Sequence, residues 1–217
     1  TLRNSETYYP YIKGGTYNKW YGNLEYIIKW ENDGTGLVRS RTENRNYFFK
    51  EGITWALITT TNLSFRWFDT GFLCDVSGSS YFAYDENDLL YILAFLNSPV
   101  STAILNIINP TINLNIKDIM LMPLHISNLQ NVSTLTEQCI FTSKIDWDSF
   151  ETSWDFETHP MIRWSKNLWD VTAIGATMQN YYGCHPQVNS PLELCYLLRK
   201  GQANQQFREL KANEEEL

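Results

Sequence analysis

The stretch DENDLLYILAFLNSPVSTAILNIINPTINLNIKDIMLMPL, residues 85–124, decides the fold, because its local signals agree over the longest run of the chain. Ser98 and Pro99 suit the N-cap and the first position of a helix, so they separate one predicted helix from a second. The second helix should end at Asn109-Pro110, since proline disfavours the helical conformation of the residue before it. These residues therefore predict two short consecutive helices.

The residues after the helix pair switch to the two-residue period of a β-strand. Isoleucine and leucine alternate with asparagine over residues 112–116, and the apolar run 119–122 is followed by Pro123. Such a run predicts a buried strand, and proline commonly marks its end. We therefore expect a scaffold in which a helix pair packs on a sheet.

The composition indicates a folded globular protein. Of the 217 residues 43% are hydrophobic, and no apolar run reaches the roughly 20 residues that a membrane-spanning helix needs. The four cysteines occur singly, so neither the paired spacing of a zinc site nor a disulfide scaffold is predicted. We expect a cytoplasmic protein with reduced thiols and no membrane contact. The first residues lack an initiator Met and a signal-peptide pattern, so we expect an excised fragment.

The charge is distributed unevenly, although the chain as a whole carries a net charge of −7. Residues 1–70 contain 9 Lys and Arg against 7 Asp and Glu, whereas residues 71–217 contain 8 against 17. A phosphate-binding surface requires local positive charge, and an acidic remainder would keep nucleic acid off the other faces. A nucleic-acid site should therefore be sought in the first 70 residues.

Residues 7–30 combine aromatic and basic side chains in a pattern with two interpretations. They predict a strand pair or long hairpin with a turn at Gly14-Gly15, and the simpler interpretation is a sheet whose aromatic residues form the core. Interleaved lysine and aromatic residues are also the mixture that contacts phosphates and stacks on bases. The interleaved residues are Lys13, Tyr17, Lys19, Trp20, Tyr21, Lys29 and Trp30.

The polar segment 31–46 is predicted to be a long loop. Loops of this length are usually functional or disordered. Its arginines, Arg39, Arg41 and Arg45, can supply forked donors for phosphate oxygens or for guanine. The alternative is an ordinary solvated loop.

The rest of the chain predicts a mostly β platform, then a helical tail. Short β-like runs separated by glycine cover residues 47–84. Residues 125–160 show little periodicity, and helical spacing returns over residues 163–182. A last helix should begin with a capping box at Ser190, and Gly201 is expected to be its weak point.

No catalytic constellation is recognisable in the sequence. The three histidines occur in unrelated contexts, and no nucleophile-elbow, P-loop or zinc-protease motif is present. Asn109-Pro110-Thr111 lacks the second proline and the aromatic residue of the turn with which amino-methyltransferases grip a flipped adenine. We interpret it as a helix stop and expect a chain that is not catalytic by itself and binds no metal or cofactor.

Seven short motifs follow one another along the chain: KGG at 13–15, KWYGN at 19–23, KEGITW at 50–55, GSS at 78–80, YILAFLNS at 91–98, NPT at 109–111 and WDSFE at 147–151. Together they resemble the C-terminal part of the adenine-specific DNA methyltransferases of BREX phage-defence systems, relatives of single-chain type II restriction-modification methyltransferases. Each motif is short, but their order spans nearly the whole chain.

The resemblance implies a target-recognition region and the start of a helical spacer. It also implies a separate catalytic methyltransferase domain of the same protein, which binds S-adenosylmethionine and carries the Asn-Pro-Pro-Tyr turn. Double-stranded DNA would lie between the two, since a base must be flipped out of the stack for its chemistry. The resemblance implies backbone or base contacts by Lys13, Lys19 and Lys50, with Trp20, Tyr21 and Asn23 as readers of the bases. Arg39, Arg41 and Arg45 are predicted as further DNA contacts from their chemistry rather than from the motifs.

These observations predict an α+β fold in two parts. Residues 1–145 would form a β-rich target-recognition domain with a supporting helix pair, and residues 146–217 an irregular acidic-aromatic segment followed by a helical spacer. The predicted function is DNA recognition for an S-adenosylmethionine-dependent N6-adenine DNA methyltransferase. The alternative is a module that docks other defence-system proteins through the strip 147–156. A free-standing hydrolase is disfavoured, because no nucleophile, base or metal cluster assembles.

Overall fold

In the computed structural model, helices account for 47% and strands for 13% of the chain, which confirms the predicted α+β class. The structure describes residues 8–31, 34, 37, 44–60, 62–166, 168 and 170–217. The chain divides into two compact units, Thr1–Lys144 together with Leu217, and Ile145–Glu216.

Two three-stranded sheets lie in the first unit. Their strands are β1 (Tyr8–Ile12), β2 (Tyr26–Lys29), β3 (Gly52–Ala56), β4 (Arg66–Phe68), β5 (Leu73–Cys74) and β6 (Gly78–Tyr81). The first sheet has the order β2-β1-β5, with β1 antiparallel to β2 and parallel to β5. The second has the order β4-β3-β6, with β3 antiparallel to both neighbours. The predicted strand pair over residues 7–30 is present, and a long loop, residues 13–25, connects its strands.

The helices follow the sheets along the chain. They are α1 (Glu86–Asn97), α2 (Pro99–Ile108), α3 (Ile116–Met120), α4 (Leu129–Trp147), α5 (Pro160–Ser165), α6 (Val171–Tyr182) and α7 (Pro191–Glu216). Within the described residues no single helix is both long and apolar enough to cross a membrane. One pair of helices, Asp88–Asn97 and Pro99–Ile108, bent by 73°, has the length and composition of such a span.

The junction between α1 and α2 confirms the predicted helix pair. The Ser98 side chain caps α2 by accepting a hydrogen bond from the backbone nitrogen of Ser101 at 3.1 Å, and Pro99 occupies the first turn. The helix ends at Ile108, and Asn109 is extended with φ −139° and ψ 92°. Proline at the next position accounts for that extended backbone.

The predicted strand over residues 119–122 is wrong, because this run belongs to and follows the short helix α3. The Asp118 carboxylate accepts a hydrogen bond from the backbone nitrogen of Asn115 at 2.9 Å, which satisfies a donor at the helix start. The alternating run before it makes only an isolated bridge, between Asn113 and Ile58. A capping interaction thus outweighs the strand preference of the apolar residues.

Three further expectations about local structure need correction. The β-like run 47–49 follows and overlaps a 3-10 helix, Arg45–Tyr47. The aperiodic segment 125–160 contains the 19-residue helix α4, whose buried side includes Thr136 and so lacks a clear apolar stripe. The helical run 163–182 is divided between α5 and α6, since the Asp170 carboxylate caps α6 through the backbone nitrogen of Ala173 at 2.9 Å.

The scaffold is joined to the second sheet by buried hydrogen bonds. The Asn97 side chain at the end of α1 accepts from the backbone nitrogen of Phe65 and donates to its oxygen, both at 3.0 Å. The Trp55 indole on β3 donates to the backbone oxygen of Leu114 at 3.0 Å. Because these bonds join residues far apart in sequence, they fix the helix pair against the sheet, as the sequence predicts.

Candidate nucleic-acid interface

The loop between β1 and β2 buries three of the predicted DNA-binding residues. The backbone nitrogen of Trp20 donates to Phe65 at 2.9 Å, and its oxygen accepts from Trp67 at 2.8 Å, so the loop extends the β4 edge of the second sheet. Trp20 has a φ of 71°, a left-handed conformation that this pairing maintains. Its side chain and that of Tyr21 are buried in the core. They offer no ring face to a base in this conformation.

Asn23 organises the same loop from inside. Its amide donates to the backbone oxygen of Thr16 at 2.8 Å, and its side-chain oxygen accepts from Asn18 at 2.9 Å. A Cβ on Gly15, whose φ is 133°, would lie 2.7 Å from the Asn23 amide, so glycine is required there. Asn23 is buried and shapes the loop.

Two predicted lysines occupy different settings. Lys19 Nζ donates to the backbone oxygen of Asn97 at 3.1 Å, which ties the loop to the end of α1. Lys13 Nζ lies 3.9 Å from the Asp75 carboxylate and 5.6 Å from the centre of the half-exposed Tyr26 ring. Burial and the Asp75 charge raise the pKa of neighbouring Tyr11 to about 12, so this tyrosine remains neutral. Of the two lysines, Lys13 is the one arranged on an aromatic surface.

Arg39 and Arg41 lie outside the described residues, whereas Arg45 and Lys50 flank the 3-10 helix and the turn after it. Both are exposed. Asn44 and Phe49 have φ values of 44° and 64°, so the chain reverses tightly between them. Phe49 is held by two backbone hydrogen bonds of 3.0 Å, one to Phe72 and one from Gly71. The turn therefore presents its side chains from a fixed backbone.

The turn carries a group that we name the aromatic-basic cluster: Tyr9, Arg45, Tyr47, Phe49, Lys50 and Phe82. Tyr47 stacks on Phe82 with ring centres 5.1 Å apart, and Phe49 packs on Tyr9 at 5.2 Å. Lys50 Nζ lies 5.8 Å from the centre of the Tyr47 ring. The cluster thus joins the two sheets at one aromatic surface with cationic groups around it.

The exposure of this cluster is what a nucleic acid would require. Tyr47 is 46% exposed and Phe49 is 38% exposed. Within the described part of the chain, Lys50 has no carboxylate partner. Exposed rings stack on bases or sugars, and lysine and arginine contact phosphate oxygens. Sequence reasoning missed Tyr47 and Phe49 because it assigned them to a strand, although Arg45 before them and Lys50 after them were a usable signal.

Arg66 is a buried cation that the sequence did not reveal. It lies on β4 opposite Thr54 and is fully buried, and none of its three guanidinium nitrogens has a hydrogen-bond partner among the described residues. Burial lowers the pKa of Arg66 to about 10, because a low-dielectric interior disfavours the charged form. With no path to solvent, it is not a candidate for phosphate binding.

The described residues contain no group of three or more His, Cys, Asp or Glu side chains that could hold a metal ion. The cysteines are all free thiols. Burial raises the pKa of Cys74 to about 11, which makes this thiol a poor nucleophile.

The chain is similar to adenine-specific methyltransferases. It is 37% identical over 226 residues to adenine-specific methyltransferase PglX of Lacticaseibacillus casei (strain Zhang), a match that covers 100% of this chain and 17% of the relative. It is 36% identical over 170 residues to adenine-specific methyltransferase BrxX of Escherichia coli O9:H4 (strain HS), covering 76% of this chain and 14% of that relative. No family model matches the chain. The chain spans under a fifth of the length of these relatives. The identities confirm the prediction that its homologues are adenine-specific methyltransferases.

Proposed function

We propose that this chain is the DNA target-recognition part of a larger, S-adenosylmethionine-dependent N6-adenine DNA methyltransferase of a phage-defence system. The observation that carries the proposal is the 37% identity to an adenine-specific methyltransferase over the whole chain. A methyltransferase that flips its target base needs a second surface to read flanking sequence and hold the duplex. S-adenosylmethionine would bind outside this chain, in the catalytic part of the larger protein.

The aromatic-basic cluster is the proposed DNA contact. Arg45 and Lys50 would pair with phosphate oxygens, while Tyr47 and Phe49 would pack on sugars or on an unstacked base. Lys13 would add a phosphate contact from the first sheet. Trp20, Tyr21 and Asn23 would act indirectly by holding the loop, and Lys19 by anchoring it to α1. Arg39 and Arg41 stay predicted contacts on chemical grounds alone.

The charge distribution agrees with a DNA site on this part of the first unit. Between Arg66 and Lys117 there is no lysine or arginine, whereas five acidic residues occur there. DNA affinity depends on neutralising phosphates and releasing counterions, so this long segment, which has acidic residues and no basic ones, supplies no cation for DNA. The cationic groups around the aromatic-basic cluster are the better match.

Duplex binding measured by fluorescence anisotropy over a series of salt concentrations tests the contact assignment. Each lost phosphate contact lowers the slope of log affinity against log salt by about 0.9, so the double change Arg45→Ala and Lys50→Ala should lower it by about 2. The control is Arg163→Ala with Lys166→Ala, an equal charge change at exposed positions of the second unit. Equal affinity and slope for the two double variants would contradict the assignment.

A segment exchange tests recognition itself. The matching region of the L. casei PglX relative is replaced by this chain, and methylated adenines are mapped by single-molecule sequencing in that host. The proposal expects methylation in a new sequence context, since the chain would supply the base contacts. Methylation that persists in the context of the unaltered relative would count against a recognition role.

A second candidate function is docking of other defence-system proteins through the strip 147–156. Phe150 and Trp154 are exposed there among acidic side chains, an arrangement that suits a basic, apolar partner surface. Trp154→Ala should then abolish co-purification with a defined defence-system subunit while leaving DNA binding unchanged. Retained co-purification would remove this candidate.

A further inference from the structure

Helices α2 and α3, with the residues that connect and follow them, carry large apolar side chains that face solvent. Val100 is 62% exposed, Ile107 82%, Met120 78% and Leu121 66%. Single exposed apolar residues are common, but a contiguous group marks an interaction site. We call this surface the scaffold face, and its members are Val100, Ile107, Ile112, Ile116, Met120 and Leu121.

Helix geometry places the two members on α2, Val100 and Ile107, on one face. On α2, Val100, Ala103 and Ile107 follow the spacing of one helix face, and all three are exposed, while Ser101 and Leu105 point into the core. The inner face of α2 is therefore already packed in the core. The outer face is an additional apolar stripe.

A hydrogen-bonded clasp fixes the end of α2 beside α3. The Asn109 amide donates to the backbone oxygen of Asn113 and to the Asp118 carboxylate, both at 2.6 Å. This clasp joins the residue after α2 to α3, the helix that carries Ile116 and Met120. The scaffold face is thus a preorganised surface.

Its size approaches that of one side of a stable interface. With Ile112 54% and Ile116 50% exposed in addition, the six residues present on the order of 700 Å², against the roughly 300–600 Å² of the largest apolar patch on a typical monomer. A standard interface buries about 800 Å² on each partner. The scaffold face is therefore larger than an isolated soluble domain normally leaves uncovered.

The chemistry of the scaffold face selects its partner. No charged residue occurs between Asp88 and Lys117, whereas 19% of the whole chain is charged. Within residues 100–121 the charged residues are Lys117 and Asp118, and one cation beside one anion offers little to DNA or to the steering of a transient partner. Permanent interfaces are the more apolar class. The partner that fits the scaffold face is therefore an apolar surface that stays bound to it.

We propose that the scaffold face docks on an apolar surface elsewhere in the same, larger methyltransferase polypeptide. This proposal rests on the function proposed above. The relatives carry the matching region within only 17% and 14% of their length, so most of their chain lies outside it. A covalently linked domain binds at high effective concentration, which favours it over a separate protein.

Thiol labelling compares the full-length methyltransferase with this chain alone. Ile107→Cys and Met120→Cys are exposed positions, so the changes should leave folding intact; Gln138→Cys, exposed and polar on α4, is the control. A maleimide is used, and each site is followed by peptide mass spectrometry. The scaffold-face thiols should react about tenfold or more slowly in the full-length protein, because the reagent reaches them only when the interface opens. The control thiol should react alike in both.

Two outcomes would overturn the docking proposal. One is equal, rapid labelling of Ile107→Cys in both proteins. The other is slow labelling already in the chain alone, which would mean that the chain itself covers the scaffold face. If the labelling rate falls as the protein concentration rises, a second copy of the chain covers it. The Arg45 and Lys50 variants are measured on the chain alone. A failed DNA test beside protected thiols would therefore remove the recognition role and leave the docking in place.

Discussion

Replacement of the buried Arg66 by methionine should stabilise the first unit. The guanidinium is fully buried on β4, and its nitrogens have no hydrogen-bond partner among the described residues. A buried charge without a partner costs free energy that an apolar side chain of similar length does not. Methionine keeps most of the aliphatic packing and adapts to irregular space.

The size of the effect follows from the pKa of Arg66. Burial lowers it from 12.5 to about 10, and at 1.36 kcal/mol per pKa unit this corresponds to about 3 kcal/mol against the charged native state. Part of that gain is lost, because methionine fills less of the site than the guanidinium. We therefore expect a net stabilisation of about 1–3 kcal/mol, and an increase in Tm of about 2–4 °C for each kcal/mol.

Urea unfolding followed by tryptophan fluorescence and circular dichroism measures the change. Arg163→Met is the matched control, since Arg163 is exposed on α5 and its replacement should change stability by less than about 0.5 kcal/mol. A loss of about 2 kcal/mol or more in Arg66→Met, with the control unchanged, would refute the reasoning. It would mean that the guanidinium is satisfied by an anion or a polar group in solution.

The other predictions concern one helix cap, one helix contact and one thiol. Ser98→Ala removes the α2 cap and should cost about 1 kcal/mol in urea unfolding. Gly201→Ala should destabilise the second unit by about 1–3 kcal/mol despite the better helix propensity of alanine, because the added Cβ would collide with the Tyr181 ring. Gly175→Ala is the control and should stabilise α6 slightly, since its added Cβ would lie 3.5 Å from the nearest atom. The reverse order of the two variants in thermal unfolding would contradict this prediction. Cys184 is exposed and should react with a thiol reagent before the buried cysteines in a timed mass-spectrometric assay.

The sequence predicted those parts of the fold that depend on neighbouring residues. The cap at Ser98 and the stop before Pro110 involve contacts within four positions, so their chemistry is readable directly. Helix α3 escaped prediction because the apolar run 119–122 suggests a strand, while the decisive cap comes from Asp118. Gly201 was expected to weaken α7, but the absence of a side chain there lets the Tyr181 ring pack directly against the helix. That contact is invisible without the fold.

The candidate site was less predictable, because exposure is set by distant residues. Trp20 and Tyr47 are both aromatic residues near a lysine, and by composition they are equivalent candidates for base stacking. Trp20 is buried because its backbone pairs with Phe65 and Trp67, some 45 positions away along the chain. Tyr47 lies in the turn between Asn44 and Phe49, where it stacks on Phe82 and stays half exposed. Only tertiary pairing distinguishes them.

The first unit therefore assigns two tasks to chemically different segments. The aromatic-basic cluster carries cations beside exposed rings, whereas the scaffold face consists of exposed apolar side chains in a segment whose one cation is Lys117. Changes such as Ser98→Ala act on the helix pair that supports the second sheet through Asn97. They should lower stability before they lower DNA affinity, whereas changes at Lys50 should do the opposite, since an exposed lysine contributes little to folding. Parallel loss of stability and affinity in both variants would mean that the scaffold and the recognition surface are one cooperative element.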